Sequence, residues 1–179
     1  MAIGDLCYKK GSGATAGSLI YKKAGPDIGK ICYKAPARNG KVVITFSWPP
    51  NATDLDICAY WTDSPSLKVG FSYQPDTAAT YSSGNYNIFW GGDTKSIGGS
   101  EIVEIWRNNS TSSATFTIHF NFWGTPGSAV CDIVAIDDSG TVKTKLGQAC
   151  GSTNHSAATT GDPSATISIN ASGKLIGIS

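Results

Sequence analysis

Between Lys41 and Trp48 every second residue is large and apolar: Val42, Ile44, Phe46 and Trp48 alternate with Val43, Thr45 and Ser47. Side chains of an extended chain point to opposite faces in turn, so a period of two predicts a strand with one face in a core and excludes a helix here. Pro49-Pro50-Asn51 ends the run. The same reading gives strands over 54–61, 85–90, 102–106, 114–123, 129–136 and 141–145, separated by Gly, Pro, Asn and Ser clusters. A final hairpin over 166–170 and 174–178 turns at Ala171-Ser172-Gly173. The small, polar stretch 147–163 reads as a long loop. No segment keeps a helical period, and 21 glycines with only 15% charged residues suit a turn-rich β protein. The expected fold is all-β, an antiparallel β-sandwich with a small N-terminal repeated-strand sheet or arm.

The N-terminal segment repeats itself. Gly4-Asp-Leu-Cys-Tyr-Lys-Lys10, Gly17-Ser-Leu-Ile-Tyr-Lys-Lys23 and Gly29-Lys-Ile-Cys-Tyr-Lys34 each read as a glycine turn, a short strand and charged ends. Gly173-Lys-Leu-Ile176 is a partial fourth copy, so the C-terminal strand 173–178 is expected to join the N-terminal strands. The division is 1–40, a basic repeated-strand arm or subsheet, and 41–179, the sandwich. Residues 1–41 carry a charge of +6 within a chain of net +1, which leaves −5 on the body. That split argues against a uniform nucleic-acid-binding surface and for an arm that docks on acidic neighbours, with Leu6, Tyr8, Leu19, Tyr21, Ile31 and Tyr33 as its apolar contacts. No apolar run is long enough for a signal peptide or a membrane span, so assembly in the cytoplasm is expected. The five cysteines contain no C-x-x-C pair and are odd in number, which speaks against a zinc ribbon or a full disulfide framework.

The chemistry-bearing stretch is Asn51-Ala-Thr-Asp-Leu-Asp-Ile-Cys58, followed by Trp90-Gly-Gly-Asp-Thr-Lys-Ser-Ile-Gly-Gly-Ser-Glu-Ile102. In an extended chain Asp54 and Asp56 share a face while Leu55 and Ile57 enter the core. Two carboxylates so placed repel, and a cation relieves the repulsion. Asp93 and Glu101 bracket a loop holding Gly98 and Gly99, which can bring further oxygens to the pair. Four oxygen donors suit calcium better than zinc. The plainer reading is a solvated turn-to-strand junction beside a Gly-Gly loop.

These residues resemble the bacterial β-sandwich domain typified by YfaP and, more distantly, TerD-type tellurite-resistance proteins. The likeness lies in the strand Val42–Trp48, then Asp54-Leu55-Asp56, Gly92-Asp93-Thr94 and Gly98-Gly99-Ser100-Glu101, and covers roughly 41–142. Thr94 and Ser100 stand where that pattern has Asn and Pro. The resemblance implies a calcium-binding or structural module, often joined to surface or adhesion proteins, with no established catalysis.

Other candidates carry less. Phe116, Ile118, Phe120 and Phe122 make one face of their strand, so His119 points the other way as a surface or hydrogen-bonded residue. Asp137-Asp138 before Ser139-Gly140 reads as a hairpin turn. There is no nucleophile elbow or phosphate loop. Trp61, Tyr81 and Trp90 are the aromatics that would stack on a glycan beside the acidic loops. The expected function is therefore a non-enzymatic calcium-binding structural or adhesion module that self-associates or joins neighbouring subunits, on a virion or cell surface after assembly. The alternatives are a cytoplasmic TerD-like calcium-linked stress protein and, behind it, a carbohydrate-binding module or carbohydrate-active enzyme.

Overall fold

The computed structural model describes residues 40–52, 54–73, 86–108, 112–124, 130–150 and 158–179 in full, and the backbone alone of strand segments 6–8, 17–24, 28–34, 79–83 and 152–153. The chain divides into two compact units, Met1–Arg38 and Asn39–Ser179. In the first, β1 (Leu6–Tyr8), β2 (Gly17–Ala24) and β3 (Ile28–Lys34) form an antiparallel sheet in that order, with Leu19 opposite both Leu6 and Tyr33. The expected assembly residues Leu6, Tyr8, Leu19, Tyr21, Ile31 and Tyr33 fall on these strands, and their side chains lie outside the described residues.

The second unit is a β-sandwich. Its strands are β4 (Val42–Ser47), β5 (Leu55–Trp61), β6 (Ser64–Gly70), β7 (Ala79–Ser83), β8 (Tyr86–Trp90), β9 (Ser100–Arg107), β10 (Ala114–Trp123), β11 (Val130–Asp137), β12 (Val142–Ala149), β13 (Ser152–Thr153), β14 (Ser164–Ile169) and β15 (Leu175–Ile178). One sheet runs β12-β11-β4-β9-β8-β7, and the other β15-β14-β10-β5-β6 with the short β13 beside the end of β10. All ladders are antiparallel except that of β13. Among the described residues there is no helix, and hence none long and apolar enough to cross a membrane.

The alternating residues of β4 and β10 meet between the sheets. Phe46 stacks at a tilt on Phe120 with ring centroids 5.6 Å apart, and Trp48 meets Phe122 edge-on at 6.4 Å. Val42, Ile44, Phe116, Ile118, Ile133, Ile167 and Ile169 are all fully buried in the same cluster. Burying each such side chain contributes on the order of 1.5–3 kcal/mol, which fixes register, because a one-residue slip would turn the whole set outward. Every residue of β5 is buried, since its outer face is covered as well: Cys58 and Tyr60 pack with Ala158 and Tyr73.

The expected final hairpin forms and two expectations change. The last strand pairs with β14, Ile167 opposite Ile178, and the described N-terminal strands pair with one another. The hairpin at Asn170 is the reason: its side-chain oxygen accepts hydrogen bonds from the backbone N–H groups of Ser172 and Lys174, which folds 174–178 straight back on its neighbour. The stretch 147–163 is shorter as a loop than expected, because β12 continues to Ala149 opposite Val130 and β13 follows. Strands β6 and β7 fall in a segment where no strand was expected.

Candidate metal centre

Asp54, Asp56 and Asp93 come together at one end of the sandwich. Asp54 stands immediately before β5 in a left-handed conformation, φ 59°, and its carbonyl accepts a hydrogen bond from the Trp123 N–H at 2.9 Å. Aspartate tolerates this region better than most residues, and such strain persists only where surrounding contacts impose it. Asp56 lies two residues on, opposite Asn121 of β10. Asp93 sits on the connection between β8 and β9.

Backbone contacts bind that connection to the one before β5. Trp48 N–H donates to the Gly99 carbonyl and Gly98 N–H to the Ala52 carbonyl, both at 3.2 Å, and the Trp48 indole N–H donates to the Ser96 carbonyl at 3.1 Å. Gly99 makes the approach feasible: a Cβ there would lie 2.6 Å from Cζ2 of Trp48. The two glycines therefore bring the Asp93 loop onto the strand end that carries Asp54 and Asp56.

One carboxylate oxygen from each aspartate lies within 4.8 Å of the other two. Asp56 is only 3% exposed, and its pKa is pushed up to about 7, first by burial and then by the charges of Asp54 and Asp93, against the pull of Lys95. Lys95 Nζ forms an ion pair with Asp93 at 3.0 Å and lies 5.5 Å from the centre of the Phe71 ring. Asp54, Asp56, Phe71, Asp93, Lys95 and Trp123 line an open pocket of about 210 Å³. Three carboxylates converging on one point, all oxygen donors, could hold a metal ion, and their hardness favours a hard divalent cation.

Glu101, the fourth expected ligand, belongs to a different layer. It is 2% exposed on β9 and shares the inward face of Val103 and Ile105. One oxygen accepts the Trp90 indole N–H and the other the Thr94 backbone N–H, both at 3.0 Å. Burial pushes its pKa up to about 8, with those two hydrogen bonds working downward and Asp93 and Asp56 adding to the rise. Glu101 thus anchors the start of the loop that presents Asp93 and is not among the converging three.

The stacking candidates are corrected too. Trp61 is buried against Tyr86 and Phe116, with ring centroids 4.0 and 3.6 Å away, and Trp90 is fully buried. Neither can meet a ligand in solvent. The side chain of Tyr81 lies outside the described residues. The aromatic that does line the site is Trp123, 43% exposed. The alternation of β10 could have found it: with Phe116 to Phe122 inward, residue 123 must face outward. Lys95 was likewise missed, although it stands two residues from Asp93 on the same glycine-rich loop.

His119 faces away from the core and is buried: Nε2 meets the Tyr60 hydroxyl at 2.9 Å, and Nδ1 meets the Asp162 carbonyl at 3.1 Å. It stands opposite Cys58 in the ladder, yet burial pushes the Cys58 thiol up to about 11, the reverse of what an activated nucleophile needs. The pair, with Tyr60 and the 158–163 segment, closes the outer face of β5. Asp137 does form a turn, accepting hydrogen bonds from Ser139 and Thr141 N–H, and it also reaches across to the Leu175 N–H at 3.0 Å.

Comparisons with family models, curated proteins and solved structures found no match. The site's chemistry therefore rests on its own geometry.

Proposed function

We propose that this chain is a calcium-binding β-sandwich module that acts in assembly or adhesion at a virion or cell surface, and that the ion at Asp54, Asp56 and Asp93 is structural. The observation that carries the reading is the convergence of three carboxylates, one of them almost wholly buried, at the junction of two loops. A divalent ion there relieves their mutual repulsion and cross-links the strand end carrying Asp54 and Asp56 to the loop carrying Asp93. Backbone carbonyls and water would supply the remaining ligands of a calcium shell. The basic segment 1–41 and the acidic remainder give copies of the chain opposite charges to present to one another.

A second reading is favoured by Trp123 and Phe71. An exposed indole beside a hard cation is a combination that holds sugars, the ring stacking while hydroxyls approach the ion. The cytoplasmic TerD-like alternative shares the calcium site and differs in having no assembly role.

The test is calorimetric titration of the metal-free full chain with calcium, followed by light scattering with and without chelator, on the whole chain and on one lacking residues 1–36. Calcium binding, with association that depends on both the ion and the arm, is the expected result. Absence of any binding heat and of any thermal shift up to millimolar calcium would refute the metal reading. Binding with a monomer under every condition would refute assembly alone.

A further inference from the structure

The strands β11 and β12 bring two cysteines together in the core. Cys131 opposes Gln148 in the ladder and Val130 opposes Ala149, so Cys150, the residue after β12, lies beside Cys131 on its inward side. Both are 1% exposed and belong to the one buried cluster between the sheets. The Cys150 thiol donates to the Gln148 carbonyl at 3.1 Å. The neighbouring Cys150 side chain, and then burial, hold the Cys131 thiol far above its usual range. Cys58, the third described thiol, is also buried, but it packs with Tyr60, Ala158 and Tyr73 in a separate cluster.

We propose that Cys131 and Cys150 are a disulfide-forming pair, closed by thiol–disulfide exchange with a small-molecule disulfide such as oxidised glutathione. Because the Cys131 thiol is held high, exchange is slow and runs through the small ionised fraction that alkaline pH supplies: one protein thiolate attacks a sulfur of the oxidant and expels a glutathione thiolate, leaving a mixed disulfide. The second protein thiolate then attacks the protein sulfur of that bond and expels the other glutathione. Two protein thiols are oxidised, one glutathione disulfide is reduced to two thiols, and the two protons pass to the leaving thiolates. Cys131 borders a surface pocket of about 220 Å³ with Ser47, Trp48, Pro49, Val130 and Asp132, so this strand end lies close to solvent although the cysteine itself is covered.

The structural effect is specific. The bond would close a loop of about twenty residues and staple the end of edge strand β12 to β11, beside the irregularity between Cys131 and Ile133. Two buried side chains on the same face of adjacent paired strands are placed for a short approach of their sulfurs, in contrast to pairs whose strands hold them apart. Edge strands are the first to fray, so the bond acts where the ladder is otherwise supported on one side.

The test is to equilibrate the folded full chain in a glutathione redox buffer at mildly alkaline pH, block remaining thiols with a maleimide, and map tryptic peptides without reduction. The expected product joins the peptide ending at Lys143 to the one beginning at Leu146, is lighter by two hydrogens than the sum of the two, and separates on reduction. The oxidised protein should melt higher by roughly 5–10 °C. Cys131→Ser and Cys150→Ser should each abolish both the linked peptide and the oxidant-dependent shift. Recovery of Cys131 and Cys150 as maleimide or separate glutathione adducts, or linkage of either to a different cysteine, would overturn the proposal, and this mapping needs no variant to fold.

Discussion

Replacing Asp56 with asparagine should make the metal-free protein more stable and abolish the further stabilisation that calcium gives the wild type. Asp56 is 3% exposed, and its carboxyl rises from 3.8 to about 7 on folding, chiefly through burial and then through the neighbouring charges of Asp54 and Asp93. A rise of roughly three units corresponds to about 4 kcal/mol of penalty on the ionised form, which is a ceiling once the site relaxes. The pH window follows from the sign. Below the unfolded value the residue is protonated in both states and costs nothing. Between about 4 and 7 the unfolded chain releases its proton while the native state keeps it, so stability falls as pH rises. Above about 7 the penalty is complete. Asparagine never ionises, so its advantage should be near zero at pH 4 and reach up to about 4 kcal/mol at pH 8. Calcium offsets this advantage: at one hundred times its dissociation constant it adds about 2.7 kcal/mol to the wild type alone, and at a thousand times about 4.1 kcal/mol, which cancels it. Urea unfolding at both pH values, with chelator and with calcium, reads all four quantities. An asparagine variant destabilised equally at both pH values would show that Asp56 is not strained by burial and its neighbours, and one that keeps the calcium shift would show that Asp56 is not a ligand.

Three further outcomes follow from the same geometry. Lys95→Gln removes the cation that pairs with Asp93 and should tighten calcium binding several-fold, measured by titration calorimetry; an unchanged affinity would mean that Lys95 does not compete for the site. Gly99→Ala drives a methyl group against the Trp48 ring and should cost about 1–3 kcal/mol in chemical denaturation, together with weaker calcium binding, because the loop that carries Asp93 must shift. Asp137→Ala leaves the N–H groups of Ser139, Thr141 and Leu175 without their acceptor and should cost on the order of 2 kcal/mol; an Asn variant that restores full stability would show that charge is unimportant there.

The sandwich was legible because its central strands announce themselves. Val42 to Trp48 and Phe116 to Phe122 keep an unbroken period of two, and each became a strand with that face in the core. What escaped was the edge. Strand β6 reads Ser-Pro-Ser-Leu-Lys-Val-Gly with only its last two residues buried, and a proline early in such a run argues for a loop unless the strand has one neighbour. In the candidate site the spacing singled out Asp54 and Asp56, but Asp54 stands before β5 in a left-handed conformation and not in the extended one that the alternation assumes, and the position of Asp93 depends on hydrogen bonds between two loops that no periodicity encodes. Glu101 was misplaced for a different reason: it stands two residues before Val103 and four before Ile105, so its own alternation sends it inward, toward the Trp90 indole. Trp61 follows Ile57 and Ala59 by the same rule. Motif order outweighed strand parity in both cases, and parity was the better guide.

The burial of β5 on both faces has a consequence for how a ligand would be felt. Strand β5 is flanked by ladders to β10 and β6 and covered above and below, so its amides should exchange with deuterium only when the whole unit opens. Asp56 is part of that strand. An ion gripping a surface loop would slow exchange only nearby, but an ion tethered to the slowest-opening segment raises the free energy of global opening itself. Its footprint would be slower exchange at distant amides of β10 and β14, where no ligand touches.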